Sequence, residues 1–179
     1  MEAPTQTNIL GASLLFATIL FLLKKGYDYK MTPGSVKKIN SLHPKLRPYA
    51  AALLNEAKKN GIELIITDAT RTNAEQQKIY EQGRTKPGKI VTNAKPGQSL
   101  HNYGLAFDVA PVVNGKVTYD YDWKKIGEIG KKVGLFWGGD FVSFKDNPHF
   151  EHKFGNSLAT LQKKAALKDT DSNGFVNIA

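Results

Sequence analysis

The chain has 179 residues, no cysteine, and 25 lysines and arginines against 16 aspartates and glutamates, a formal charge of +9 with a pI near 9.6. That length suits one domain of catalytic size plus a short appendage, and a mean hydropathy of −0.37 with 41% hydrophobic and 23% charged residues excludes disordered, collagen-like and polytopic membrane chains. Without cysteine there is no disulfide framework, zinc finger, iron–sulfur cluster or thiol nucleophile, so any metal must sit on His, Asp and Glu; the positive excess favours a polyanionic partner, whether nucleic acid, anionic lipid or bacterial wall.

Residues 9–23 carry no charge, follow Glu2 and end at Lys24-Lys25. As a helix this run spans about 22 Å, short of the hydrocarbon core of about 30 Å. Its flanks are those of neither a cleaved secretory signal nor an ordinary outward-facing anchor. Residues 1–25 therefore read as an apolar N-terminal helix received by a membrane or by the interior of a multi-protein, tail- or baseplate-like assembly. Within them the only charges are Glu2, Lys24 and Lys25, so the positive excess belongs to the rest of the chain.

Residues 26–34, with a Thr-Pro-Gly turn, read as a linker, and the domain is expected over 35–160. Leu46, Ala50, Leu53, Leu54 and Ala57 recur at helical spacing and Asn60-Gly61 supplies a stop, which predicts a helix over 46–60. The β-branched run 62–67 predicts a strand and 73–82 a second helix, followed by a Lys/Pro/Gly-rich loop over 85–97. A strand over 105–110, a hairpin at Asn114-Gly115, a helix over 123–134 and short strands at 141–144 and 149–151 complete the pattern. This is an α+β arrangement: a small antiparallel sheet flanked by helices. The tail, 161–179, is polar. Asp169-x-Asp171-x-Asn173-Gly174 has the spacing of a calcium-loop start without the twelfth-position glutamate, and reads as a flexible terminus.

The four histidines are His43, His101, His149 and His152. His101 enters a turn containing Gly104, and Asp108 lies on the strand that follows. A carboxylate inside the apolar run 105–110 is costly unless paired or metal-bound. Downstream, Pro148 precedes a strand in which His149 and Glu151 share one face. His101, Asp108 and His149 would form a His₂-carboxylate set leaving the fourth tetrahedral position of zinc open, the catalytic pattern. Asp146 could then take the proton of an attacking water. The alternative is that Asp108 caps a turn and both histidines are ordinary half-buried side chains. His152 faces the opposite side from His149, and His43, beside Pro44, reads as a packing or turn residue.

Ser99-x-His101-x-x-Gly104-x-Ala106-x-Asp108 with Asp146-x-Pro148-His149-Phe150-Glu151 resembles the zinc DD-peptidase family, which includes D-Ala-D-Ala carboxypeptidases and phage L-alanyl-D-glutamate endopeptidases. Leu42-His43-Pro44-x-Leu46-Arg47, Thr70-Arg71-Thr72-x-x-Glu75-Gln76, Gln82-Gly83-Arg84-Thr85, Val91-Thr92-x-Ala94-x-Pro96-Gly97 and Trp137-Gly138-Gly139-Asp140-Phe141 resemble the endolysin branch in the same order. The resemblance covers about residues 35–154. It implies zinc on His101, Asp108 and His149, Asp146 as general base and Arg71 as a substrate-orienting cation, with Ser99 and Gln76 in substrate binding or hydrogen-bonding support. The chain departs from the family at Thr67-Asp68-Ala69-Thr70-Arg71, where a Ser-Gly-Tyr-Arg turn is usual.

The expected function is a peptidoglycan stem-peptide hydrolase acting at the bacterial wall, cutting between L-Ala and D-Glu for a phage or phage-like particle, membrane-anchored or virion-associated through residues 9–23. A D-Ala-D-Ala carboxypeptidase is the alternative, and a non-catalytic wall-binding or assembly protein of the same fold the second. Nucleic-acid binding has only the charge behind it, with neither a basic helix nor an aromatic stacking platform.

Overall fold

The computed structural model describes residues 31–178; the apolar helix expected over 1–25 lies outside them. Helix α1, Pro33–Ser41, starts inside the stretch expected to be a linker: Thr32 caps it by accepting from the Ser35 N–H, and Pro33 opens the first turn, where its missing N–H costs nothing. Helix α2, Arg47–Lys59, carries Pro48 in its first turn and stops at Asn60 and Gly61, whose φ of +74° is the left-handed conformation glycine adopts freely. Strand β1, Leu64–Asp68, leads to helix α3, Asn73–Glu81, which a reciprocal Thr72–Glu75 capping box begins.

A 3₁₀ turn, Leu100–Tyr103, precedes strand β2, Ala106–Val113, which turns at Asn114-Gly115 into strand β3, Lys116–Val117. Helix α4, Trp123–Lys132, strand β4, Phe136–Trp137, strand β5, His149–Glu151, and helix α5, Leu158–Ala166, follow. The sheet is antiparallel in the order β1-β2-β5-β4, with β3 paired to the far end of β2. Among the described residues no helix is long and apolar enough to cross a membrane.

One core packs α1, α2 and α4 against the sheet through Leu53, Leu54, Ile126, Phe107 and Phe150, all fully buried. Helix α4 comes close to the sheet because Gly127 faces the Trp137 ring and Gly130 the Phe150 ring, where a Cβ would collide. A second core, built from Leu100, Tyr103, Leu105, Ala106, Leu161 and Val176, lies behind the 3₁₀ turn.

Two expectations are corrected. Residues 141–144 form no strand, because Gly138–Asp140 makes a second 3₁₀ turn and Val142 and Phe144 are exposed. The residues beyond α5 are not a flexible end: Thr170 bridges Val176, Asp171 Oδ1 accepts from the Asn173 and Phe175 N–H groups, and Val176 is buried. Its carbonyl lies 3.3 Å from His43 Nε2, and the Phe175 ring meets His43 edge-on.

Candidate active site

The β2–β5 register places Asp108 directly opposite His149, so the pleat points both side chains to one face. Opposite residue pairs on neighbouring strands are the closest side chains a sheet can offer. The third member comes from the 3₁₀ turn. Ser99 caps it by accepting from the His101 N–H, Asn102 closes the cap, and Gly104, at φ +67°, turns the chain into β2. A side chain on Gly104 would strike the His43 backbone, Thr70 and the Phe175 ring, so the tight return that brings His101 beside Asp108 needs glycine.

His101 Nδ1 donates to the Ala69 carbonyl at 2.6 Å, which turns Nε2 toward its partners. His101 Nε2, Asp108 Oδ1 and His149 Nδ1 stand 3.2, 3.2 and 3.4 Å apart. Tetrahedral zinc with bonds of about 2.0–2.2 Å separates its ligand atoms by about 3.3 Å, so this donor triangle fits that ion without rearrangement. His149 Nε2, on the ring's far side, meets Glu151 Oε2 at 3.1 Å, the carboxylate support that metal-binding histidines need to fix their tautomer. Glu151 was noted in the sequence only as sharing a face with His149; the alternation His149-x-Glu151 was the signal for its role.

Burial opposes the charge on Asp108, but hydrogen bonds and attraction from His101 and His149 outweigh it and hold the carboxyl well below the usual aspartate range. Burial likewise opposes a charged His149, yet Asp108 and Glu151 raise it to about 9. In Asp146, burial and the negative charge of Asp108 both raise the carboxyl above an ordinary aspartate.

Asp146 is held by the turn after the second 3₁₀ segment. Its N–H donates to the Gly138 carbonyl at 3.0 Å, and its own carbonyl accepts from the His149 N–H at 3.2 Å. Trp137 Nε1 donates to the Asn147 carbonyl at 2.8 Å, pinning the turn to β4. Gly138 has no room for a Cβ, which would strike Asp146 and His149; Gly139 is blocked in the same way by the Trp137 ring. The Trp137-Gly138-Gly139 motif thus serves close backbone approach behind Asp146.

Arg71 reaches the site from the segment after β1. Its N–H donates to the His101 carbonyl, and its own carbonyl accepts from Asn102 Nδ2. Nε and Nη2 donate to Asp68 Oδ2 at 3.1 and 2.5 Å, while Nη1 donates to Gln76 Oε1 at 2.7 Å. Asp68, in the departure from the family's turn, is the counter-charge the motif did not announce. Gln76 is fully buried and passes its other amide group to the Ala94 carbonyl, and Ser99 caps the turn, so both hold protein groups in place. His152 lies on the other side against Phe154 and Tyr49, and His43 packs under the chain end.

These groups line a cleft of about 620 Å³ whose walls include Arg71, Ser99, His101, Asp108, Asp146 and His149, together with Tyr119, Phe141 and Phe144. Among the described residues, His101, Asp108 and His149 form the group of His, Asp and Glu positioned to hold a metal ion.

A family model described as D-alanyl-D-alanine carboxypeptidase matches residues 92–152, the stretch from the loop before His101 to the end of β5. The peptidoglycan L-alanyl-D-glutamate endopeptidase CwlK of Bacillus subtilis is 37% identical over 162 residues, covering 80% of this chain and 97% of that protein. The L-alanyl-D-glutamate peptidase of Listeria phage A118 is 29% identical and matches 79% of this chain and 51% of its own length. The fold is shared with the L-Ala D-Glu endopeptidase ChiX of Serratia marcescens, at a TM-score of 0.53 and 22% identity over 69% of this chain and 90% of that one. It is also shared with the Zn(II) complex of the vancomycin-resistance D,D-pentapeptidase VanY, at a TM-score of 0.50 and 17% identity over 68% and 78%. The chain belongs to the metallopeptidase family that includes the peptidoglycan L-alanyl-D-glutamate endopeptidases.

Proposed function

We propose that the protein is a zinc-dependent endopeptidase that cuts the L-Ala–D-Glu bond of the peptidoglycan stem. The observation that carries the reading is the His101–Asp108–His149 triangle, spaced for tetrahedral zinc and open to a cleft that also holds Asp146. The identity to CwlK over nearly its whole length supports the choice of bond.

His101, Asp108 and His149 would hold the metal, which would supply a Lewis acid for the scissile carbonyl and lower the pKa of a bound water. Asp146 accepts the proton of the attacking water and returns it to the leaving amine of D-Glu. A buried carboxyl raised above the ordinary aspartate range by burial and the nearby Asp108 charge suits both halves of that transfer. Arg71, fixed by Asp68 and Gln76, presents its positive charge to the substrate carbonyl. Glu151 orients His149, and Ser99 shapes the turn that delivers His101. Residues 1–25 are the delivery element, taking the peptidase to a membrane or into a phage-like assembly. The positive charge suits a wall rich in carboxylates and phosphates.

The test is digestion of purified peptidoglycan by the full chain, with mass spectrometry of the fragments. New amino termini on D-Glu, lost with chelator and restored by zinc, are expected. Release of D-Ala in their place would assign the carboxypeptidase activity that the family model's description names.

A further inference from the structure

The alternation that sets β5 continues past its end. His149, Glu151 and Lys153 stand at every second position and all three line the cleft, while Phe150 and His152 turn the other way, onto Phe107 and onto Tyr49 and Phe154. Lys153 Nζ lies 3.3 Å from Glu151 Oε1, and the other oxygen of that carboxylate serves His149. His149, its supporting carboxylate and a lysine thus form one row lining the cleft.

The chemistry of the proposed substrate gives that row a use. Glutamate has two carboxyls, and only one continues the peptide stem. The residue that supplies the leaving amine therefore brings a second carboxylate within a few bonds of the scissile nitrogen. Besides the metal ligand Asp108, the cleft it must enter holds the carboxylates of Asp146 and Glu151, so a substrate carboxylate beside them needs a cation of its own. Apart from the histidines, the cations among the described residues lining the cleft are Arg71 and Lys153. Arg71 spends three of its five N–H donors on Asp68 and Gln76, which pins its guanidinium in place. Lys153 is half exposed, and an ammonium has three donors on a flexible stem, so its contact with Glu151 leaves donors for a ligand.

We propose that Lys153 binds the free carboxylate of the D-glutamyl residue, and so makes the enzyme select a D-glutamate stem over one in which that carboxylate is amidated. The inference rests on the L-Ala–D-Glu reading and deepens it: Lys153 sets specificity on the leaving-amine side.

Two stem peptides differing only by carboxylate or carboxamide at this position test it, with the zinc-loaded full chain. The wild type is expected to favour the carboxylate peptide in kcat/KM by about tenfold, the low end for a hydrogen bond to a charged group, mostly through KM. Lys153→Met and Lys153→Gln bring that ratio close to one, and Lys153→Arg keeps most of it. Disturbance of Glu151 and the metal site slows both peptides alike and leaves the ratio unchanged. A wild-type ratio near one, or a ratio that survives in both neutral variants, overturns the assignment. Failure of the wild type to cut either peptide refutes the L-Ala–D-Glu reading itself.

Discussion

Glu151 offers the sharpest test of how this site is built. Its Oε2 is 3.1 Å from His149 Nε2, and the residue is only 8% exposed, so water cannot replace it freely. Glu151→Gln keeps an oxygen that accepts from the ring N–H but removes the charge. Glu151→Ala removes both and leaves a buried N–H without an acceptor, which costs about 1–3 kcal/mol. Carboxylate partners of metal-bound histidines contribute about 10–100-fold to metal affinity or activity. Because His149 is itself nearly inaccessible, we place the alanine variant at the upper end, about 100-fold weaker zinc binding or roughly 2.7 kcal/mol, and the glutamine variant about tenfold weaker. The assay is competition for zinc against a chromogenic chelator at fixed pH, with a thermal melt of the metal-free protein to show that the fold persists. If Glu151→Ala binds zinc within about twofold of the wild type, the carboxylate does not support His149 and the reading of the site is wrong.

Asp146→Asn should lower kcat by about 10²–10⁴-fold while zinc content stays unchanged; a variant retaining most of its turnover would remove Asp146 from the base role. Proton competition for His149 has a definite sign. Its pKa in the metal-free protein is raised from 6.5 to about 9, so at neutral pH the ring holds a proton that zinc must displace. Zinc affinity should strengthen as pH rises and level off near 9, with proton uptake or release by isothermal titration as the measure; affinity independent of pH between 6 and 9 would contradict it. Gly130→Ala places a Cβ 2.7 Å from Phe150 Cδ1 and nearer still to Cε1, an overpacking of about 1–3 kcal/mol that should lower Tm by about 3–10 °C. Gly34→Ala, in a helix with open space around it, should raise Tm slightly. Equal effects of the two in calorimetry would show that α4 does not need its glycine contact.

The candidate site was largely legible in the sequence, because side-chain types and local spacing carry most of it. A carboxylate in an apolar strand, a histidine entering a glycine turn, and a Pro-His-x-Glu run point to a candidate metal-binding set before any fold is known. The central helices were legible for a similar reason: periodicity and stop signals are local, so α2, α3 and α4 fall close to the expected spans. Elements that depend on distant partners were not. Strand β4 has two residues and exists through its pairing with β5. The apolar run 141–144 carries strand-like residues but finds no neighbour to pair with. Thr32 and Pro33 resemble a turn until the chain continues into α1, and the polar end folds because His43 and Leu161 wait beneath Val176.

By itself, then, the sequence marked the candidates: His101, Asp108, His149 and Asp146 by residue type and short-range spacing, and Arg71 through the family resemblance. Tertiary structure decided how they meet. Only the β2–β5 register puts Asp108 opposite His149, and only the return through Gly104 closes the donor triangle. The partners Asp68, Gln76 and Glu151 likewise acquire their roles by contact. The physical reason is that a ligand's identity is a property of one residue, whereas a bond length of about 2 Å to a shared ion is a property of segments that the chain brings together only when its core has packed.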